Sequence, residues 1–275
     1  MILASRGSNL PLGSSRQILC RFKQNTAMFN IVAPHKPAAQ ALSQDGLSLL
    51  SPTDLTITLK LSSDWAQRWD ELAQTWNNLP PDAHLKDGGS YRQRRHACFV
   101  HDVTTNNLRQ TPHRAHWQPT DYNALHGGFE RWFEPVETPV ANAPAWTDLI
   151  AGFGQLFAQV QAVDKWFVEA HQFRIDTAGG VGRPTPEGAH RDGVNFVVVL
   201  LVARRGVKGG ETRVFDANGP QGVRFVMRDP LTALLLDDAR VIHETTPIFP
   251  DHADGEKGYR DTLVLTYRAS GFQTP

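Results

Sequence analysis

The sequence predicts a mainly β protein with flanking helices, built as a sandwich, a barrel or a jelly roll. Two observations carry this prediction. After residue 166 the chain consists of short β-rich runs separated by turn clusters such as Lys208-Gly209-Gly210. Before residue 166, apolar residues recur at helical spacing in two segments. The glycine-rich patterns of nucleotide-binding loops are missing, which argues against a doubly wound nucleotide-binding sheet.

Two amphipathic helices are predicted as supports that pack on the sheet. The first begins at Asp64, which can cap it in a capping box with Gln67, and ends before the prolines at 80 and 81. The second follows Pro144 and carries one apolar stripe as far as Val163. Tryptophan and leucine form the first stripe, and aliphatic residues and phenylalanine form most of the second, as expected for faces that pack on a sheet.

The β-rich runs and the N-terminal composition divide the chain into regions. The predicted strands cover residues 168–175, 194–204, 211–215, 223–227, 231–236, 240–242 and 259–267. Residues 1–50 are predicted as a partly disordered N-terminal extension, because the chain up to residue 44 has no acidic residue and is rich in Ser, Gly and Pro. A transit peptide, or a true start at Met28, would explain this composition equally well. Residues 51–275 form one domain, with supporting helical and irregular segments over 51–166 and a β core over 167–270.

The amino-acid composition argues against some classes of binding partner. Twenty-eight basic residues balance twenty-eight acidic ones, so no global field attracts nucleic acid or an anionic membrane surface. The longest apolar run, residues 196–203, is too short for a membrane-spanning helix. We therefore expect a small-molecule partner, and we allow for a homodimer. Cys20 and Cys98 form no CxxC pair, which suits a reducing, cytoplasmic location.

Three residues are candidate metal ligands. His190 and Asp192 lie two apart before a predicted strand, so their side chains can reach a common point, and His243 follows a β-branched run. Two histidines and one carboxylate are the ligands of many non-haem Fe(II) oxygenases. A second His-x-Asp pattern, at residues 252 and 254, has no histidine after it and is interpreted as a surface loop. From the residues alone, His190 is equally consistent with a structural or acid–base role.

Arg260 and Thr262 are candidate ligands for a dicarboxylate cosubstrate. They lie two apart at the start of the last predicted strand, and therefore on one face. A guanidinium binds a carboxylate through two hydrogen bonds, and a nearby hydroxyl can donate to the same oxygens. The alternative is an ordinary ion pair between Arg260 and Asp261 or Glu256.

Residues from about 171 to 268 resemble the 2-oxoglutarate/Fe(II) dioxygenases, and within them the bacterial free L-amino acid hydroxylases typified by isoleucine dioxygenase. The most specific stretch is the Pro-Glu-Gly-x-His-Arg-Asp-Gly run at residues 186–193. Tyr91-Arg92-Gln93-Arg94-Arg95 is similar to an arginine-rich segment of that family. Residues 1–50 have no counterpart in the resemblance.

The resemblance implies a distorted double-stranded β-helix, the cupin-like jelly roll, and an Fe(II) ion held by His190, Asp192 and His243. It implies that Arg260, with Thr262, anchors the far carboxylate of 2-oxoglutarate. The implied reaction consumes O2 and hydroxylates an unactivated carbon of a small free L-amino acid or close derivative, releasing succinate and CO2.

Other assignments stay open at this stage. Arg260 follows His243 at a longer distance than in many dioxygenases, and Arg268 is the reserve anchor. Arg174 and Arg94 are the candidates for binding the substrate carboxylate, and Glu187 for binding the ammonium group. Two alternatives remain for the function: a dioxygenase acting on a peptide or protein side chain, and a non-catalytic metal-binding jelly-roll sensor.

Overall fold

The structure, a computed structural model, describes residues 36–122, 125, 127–251 and 257–275. The helices are α1 (Ala38–Asp45), α2 (Pro52–Thr58), α3 (Trp65–Ala73), α4 (Thr138–Ala141) and α5 (Pro144–Ala158), with a 3₁₀ helix at Gln74–Asn78. The strands are β1 (Leu47–Leu50), β2 (Arg92–Asp102), β3 (Asn107–Gln110), β4 (Lys165–Asp176), β5 (Phe196–Arg205), β6 (Val207–Gly209), β7 (Thr212–Asp216), β8 (Gly222–Phe225), β9 (Ala233–Asp237), β10 (Val241–Thr245), β11 (Ile248–Pro250) and β12 (Tyr259–Arg268). Some of the residues discussed from the sequence lie outside these ranges: Cys20, Met28, Glu256 and the His-x-Asp pattern at residues 252 and 254.

The strands form antiparallel sheets that face each other. Seven strands make the larger sheet in the order β1-β9-β5-β12-β4-β2-β3. Three strands in the order β10-β7-β8 make a smaller sheet, and β11 pairs with β6. The prediction of a mainly β, jelly-roll-like fold with flanking helices is confirmed.

The helices cover the outer face of the larger sheet. Trp65 and Trp69 of α3 stack at 5.3 Å between ring centroids, and Trp69 stacks on Trp146 of α5 at 6.4 Å. All three indole rings are buried in the core between helices and sheet. Such rings bury large apolar areas and therefore carry much of the packing energy. The predicted role of both helices as supports is confirmed.

Successive side chains of β12 point to opposite faces of the sheet and pack in two different cores. Leu263, Leu265 and Tyr267 pack in the core on the helix side of the sheet. Val264, one residue out of phase, contacts the second core, which lies between the two larger sheets. Because neighbouring residues of a strand point to opposite faces, Arg260 and Thr262 share the inner face with Val264. The inner face is where polar side chains of the larger sheet meet the smaller sheet.

Several sequence-based boundaries are corrected. Residues 38–50, expected in the extension, form α1 and β1, and β1 pairs with β9 at the edge of the larger sheet. Residues 51–166 also supply β2 and β3, which were not predicted. The Asp64 side chain makes no capping bond and instead accepts a hydrogen bond from Arg68 at 3.2 Å. Helix α5 ends at Ala158, five residues before Val163.

Within the ranges that the structure describes, no helix is long and apolar enough to cross a membrane.

Candidate metal and cosubstrate site

The fold brings the three predicted ligands together; His190, Asp192 and His243 are called the His190 triad below. The backbones of His190 and His243 exchange two N–H···O bonds of 3.0 Å, which join the loop before β5 to β10. His190 Nε2 lies 3.7 Å from Asp192 Oδ1, and His243 Nε2 lies 3.8 Å from Asp192 Oδ2. One ligand atom from each residue falls within 4.8 Å of the others. A single cation can therefore contact all three side chains.

A buried carboxylate holds the loop that carries Asp192. Asp238 accepts backbone N–H bonds from Asp192, Gly193 and Val194 at 2.9, 2.8 and 3.1 Å. Gly193 has φ +74°, and a Cβ there would lie 2.5 Å from the ring of Tyr122. Glycine is therefore required at this turn. No role was predicted for Asp238, although an acidic residue directly after a buried strand was a usable signal.

The protonation of the triad suits metal binding. His190 Nδ1 lies 2.9 Å from the carbonyl of Gly188 and donates its N–H there, so Nε2 is the nitrogen that gives up a proton when a metal binds. Burial disfavours the charged form, but the carboxylates of Asp192 and Glu187 outweigh it and raise the pKa of His190. Burial, with the neighbouring His190, lowers the pKa of His243 to about 3, so this imidazole is neutral near pH 7. Gln118 Nε2 donates to Asp192 Oδ1 at 3.1 Å and orients the carboxylate. A neutral His243, a His190 ring oriented by its bond to a carbonyl, and a positioned carboxylate are donors that a divalent first-row metal accepts.

Arg260 is a buried cation with unused donors. Its exposed fraction is 3%, and its Nε and Nη2 have no hydrogen-bond partner among the residues described. Burial, followed by the charge of Arg204, lowers the pKa of Arg260 to about 10, which still leaves it protonated near pH 7. An uncompensated buried charge is costly, so this arrangement fits an anionic ligand. Thr262, on the same face, is also buried.

The prediction that Arg174 binds substrate is wrong. Register places Arg174 directly opposite Asp261, one residue out of phase with Arg260 and Thr262 and therefore on the opposite face. Its guanidinium binds both Asp261 oxygens, at 2.8 and 2.7 Å, and stacks 4.1 Å above the ring of Tyr259. This ion pair lies on the helix side of the sheet, away from the inner face. The same pairing uses Asp261, which the sequence had offered as a partner for Arg260.

The other predicted substrate and cosubstrate residues, Glu187, Arg94 and Arg268, lie on the inner side of the larger sheet but not next to one another. Glu187 Oε1 is 3.7 Å from His190 Nε2, and its Oε2 is buried without a partner in the described chain. Arg94 is buried between the rings of Phe133 and Phe173, at 3.6 and 4.3 Å from their centroids. Arg268 lies at the opposite end of β12 from Arg260.

A second group of histidines around a carboxylate was missed by sequence reasoning. It is called the histidine–glutamate cluster and consists of His96, His116, Glu169 and His171, all buried. Glu169 Oε2 lies 2.5 Å from His116 Nδ1, 3.6 Å from His96 Nε2 and 3.7 Å from His171 Nε2. One potential ligand atom from each of the four falls within 4.8 Å of the others. The spacing of Glu169 and His171, two apart on a predicted strand, was a signal for a shared face.

The histidine–glutamate cluster carries one negative charge near pH 7. Burial lowers the pKa of His116 to about 4, and it also lowers the pKa values of His96 and His171. Burial would raise the pKa of Glu169, but the neighbouring His116 and His96 outweigh it and lower that pKa. The imidazoles are therefore neutral and the carboxyl group is ionised.

Comparison with known proteins agrees with this geometry. A family model described as 2OG-Fe dioxygenase matches residues 73–266. The crystal structure of a BsmA homologue from Methylobium petroleophilum PM1 is 54% identical, with a TM-score of 0.82 over 86% of this chain and 94% of that one. No curated protein sequence matches the chain.

Two more distant structures share the fold. IDO from Bacillus thuringiensis is 15% identical with a TM-score of 0.68, over 90% of this chain and 99% of that one. The Fe(II)/α-ketoglutarate-dependent dioxygenase TqaL is 21% identical with a TM-score of 0.64, over 84% of this chain and 85% of that one.

Proposed function

Because the chain belongs to the 2OG-Fe dioxygenase family, we propose that it hydroxylates an unactivated carbon of a small free L-amino acid or a close derivative. As a member of this family it is an oxygenase that uses Fe(II), 2-oxoglutarate and O2. Together these supply the oxidative decarboxylation that releases succinate and CO2 and transfers one oxygen atom to the substrate. The protein contributes binding, orientation and exclusion of water.

In this proposal the His190 triad holds Fe(II). The hydrogen bond from His190 to Gly188 supports it, because it leaves Nε2 ready to bind a cation. Asp238 and Gln118 would keep Asp192 in place for the metal. Such supporting contacts around ligands commonly set metal affinity.

Arg260 carries the cosubstrate part of the proposal. Its buried guanidinium has two N–H groups without a protein acceptor among the described residues, so a carboxylate of 2-oxoglutarate would supply the missing charge and acceptors. Thr262 shares its face and would contact the same carboxylate. Arg268 is less suited, because it is only partly buried and lies at the far end of β12 from Arg260.

A free amino acid is proposed as the substrate class on two grounds. The run at residues 186–193 resembles the amino acid hydroxylases, and a cleft beside Asp192 is lined by charges of both signs, Glu169 and Arg268. The zwitterion of an α-amino acid carries both complementary charges, on two groups bonded to the same carbon.

The test is succinate formation by anaerobically purified protein given Fe(II), ascorbate, 2-oxoglutarate and then O2. The reaction is run with and without a mixture of the protein amino acids, followed by mass spectrometry of the mixture. The expected result is succinate coupled to a gain of one oxygen atom in an amino acid, lost in Asp192→Ala and retained in the exposed control Asp70→Ala.

Two other outcomes redirect the proposal. Succinate without an oxygenated amino acid would contradict the proposed substrate class and direct the search to derivatives or peptide side chains. Bound iron with no succinate under any condition would contradict turnover and favour a sensor.

A further inference from the structure

A narrow cleft adjoins the His190 triad at the Arg268 end of β12. The residues that line it include Asp192, His116, Gln118, Glu169, Arg268 and Phe272. The cleft thus connects a proposed metal ligand directly to the histidine–glutamate cluster. Its cavity volume is about 10 Å³, the room for one water molecule, so a larger ligand would enter only if the lining side chains moved apart, and it would then lie beside the metal site.

Glu169 presents an ionised carboxylate to this cleft. Its contacts with the three histidines all use Oε2, which leaves Oε1 for a ligand. In the part of the chain that the structure describes, Glu169 forms no ion pair with a lysine or arginine. The His116 ring donates through Nδ1 to Glu169, so its Nε2 keeps a lone pair on the same lining. Two acceptors at one wall of a cleft suit a ligand with several N–H donors.

Arg268 presents the opposite charge to the same cleft. Thr266 pairs with Glu169 and Arg268 with Phe167, so Arg268 and Glu169 are diagonal neighbours on the inner face. Diagonal neighbours have Cα atoms about 7–8 Å apart, within reach of a small ligand held between them. Across the described residues the two side chains do not pair with each other. Arg268 uses Nη1 for the Gly271 carbonyl, and the rest of its guanidinium is available.

We propose that Glu169, with His116, binds the ammonium group of the substrate and that Arg268 binds its carboxylate. The cleft is then a zwitterion site that directs the side chain of an α-amino acid toward the His190 triad. This assignment rests on the proposed function and replaces Glu187 as the ammonium ligand, since Glu187 lies against the metal-facing nitrogen of His190.

Hydrogen positions in the histidine–glutamate cluster argue against a second metal there. The guanidinium of Arg94 can only donate, and its Nη2 lies 2.8 Å from His171 Nδ1, so the proton of neutral His171 is on Nε2. His116 Nδ1 likewise holds a proton, which it donates to Glu169 at 2.5 Å. Of the three nitrogens that face the carboxylate, these two lack the lone pair that a metal requires.

The experiment measures binding without turnover, in the anaerobic protein loaded with Fe(II) and 2-oxoglutarate. Equilibrium dialysis is performed against three matched mixtures: the free L-amino acids, their Nα-acetyl derivatives and their α-amides. Mass spectrometry quantifies each retained compound. The wild-type protein is expected to retain at least one free amino acid about 10-fold or more over its acetyl and amide forms.

Substitutions test which residue binds the ammonium group and which binds the carboxylate of the ligand. Glu169→Gln should lower retention of that free amino acid by about 10- to 100-fold and abolish its advantage over the acetyl form. Arg268→Gln should abolish the advantage over the amide. Glu137→Gln and Arg109→Gln, at exposed positions, are the matched controls and should keep both preferences. Glu169→Asp retains the charge and should restore part of the preference for the free amine.

Each contrary result has a distinct meaning. Equal retention of free and acetylated forms by the wild type would overturn the ammonium site without any variant. An unchanged preference in Glu169→Gln, alongside oxygenated amino acid in the succinate assay, would overturn the site and leave the proposed function standing. A second equivalent of metal that is lost in Glu169→Gln would show a metal site instead. Neither binding nor oxygenation of any free amino acid would overturn both proposals.

Discussion

Two groups of histidines, each around a carboxylate, lie on the inner side of the sheets. The two groups differ in which ring nitrogens carry protons. In each group one potential ligand atom per residue falls within 4.8 Å of the others. In the His190 triad, a backbone carbonyl accepts the hydrogen bond from His190 Nδ1, so Nε2 faces Asp192 and is the nitrogen that can lose its proton to a metal. In the histidine–glutamate cluster, Arg94 donates to the outer nitrogen of His171, so the inner nitrogen carries the proton.

This difference shows that the partner of the distal nitrogen decides what an imidazole can do. A carbonyl acceptor makes the imidazole a metal ligand, whereas a guanidinium donor makes it a hydrogen-bond donor. Residue types and distances alone do not distinguish the two groups.

Metal stoichiometry gives the largest contrast. The wild-type protein should bind one equivalent of Fe(II) per chain, because His190 Nε2 can lose its proton to a metal, whereas two of the nitrogens that face Glu169 in the histidine–glutamate cluster keep theirs. Asp192→Ala should weaken binding by about 100-fold or more, since losing a ligand exceeds the usual cost of losing a supporting contact. Anaerobic dialysis followed by iron analysis measures both. Asp70→Ala serves as the control. Two equivalents of iron bound per wild-type chain would contradict the proposed difference between the two groups.

Cosubstrate binding should depend on Arg260. Arg260→Met removes the buried cation, and the KM for 2-oxoglutarate should rise by about 100-fold, the usual scale for a charge-assisted bidentate contact. Arg260→Lys should recover part of this loss, because it keeps the charge and loses the fork. Steady-state succinate formation at varied 2-oxoglutarate measures the change. An unaltered KM in Arg260→Met would place the anchor elsewhere, with Arg268 as the next residue to test.

The contact that orients Asp192 should have an intermediate effect. Arg131 Nη2 donates to Gln118 Oε1 at 2.8 Å, and Gln118 in turn donates to Asp192 Oδ1 at 3.1 Å. Gln118→Met removes this donor and should weaken Fe(II) binding by about 10-fold. Competition with a chelator under anaerobic conditions measures the affinity, and the exposed Gln159→Met is the control. Equal affinities in all three proteins would refute a role for Gln118.

Acid stability tests the neutral histidines of the cluster. His116 has a pKa of about 4 in the folded protein against 6.5 ordinarily, because burial disfavours its charged form. The unfolded chain therefore binds a proton that the folded chain does not bind between these values. Stability should fall as the pH drops through this window, by at most about 1.4 kcal/mol per pH unit from this group.

His116→Gln should make that decline shallower. Urea unfolding of the metal-free protein at several pH values between about 4 and 7 gives the slopes for both proteins. Identical slopes would mean that His116 titrates in the folded state as it does in the unfolded chain.

The parts of the fold that depend on local pattern were predicted from sequence. Runs 194–204 and 259–267 correspond closely to β5 and β12, because apolar and β-branched residues dominate them. Strand β2 was missed, because its alternating residues, such as Arg94 and His96, are polar and face the inner wall. A polar lining removes the hydrophobic signal on which strand prediction depends.

The site was predictable where its residues are close in sequence. His190 and Asp192 share a short loop, so their proximity follows from the spacing alone. Arg174 was misplaced because a strand residue has two faces available, and only the register opposite Asp261 decides between them. Arg260 and Arg268 differ by an even number of residues, so alternation could not separate them.

Local sequence pattern was enough to predict a β-rich protein with two supporting helices, a His-x-Asp loop and a candidate carboxylate-binding arginine, because each of these depends on neighbours along the chain. The tertiary structure alone decided that Glu169 meets three histidines, that Arg174 faces away from the inner wall and that Arg260 lacks a protein acceptor among the described residues. These features join segments distant in sequence, and their distances depend on strand register and sheet packing. Protonation of the histidines followed from the same contacts, since the hydrogen-bond partner of each ring sets its tautomer.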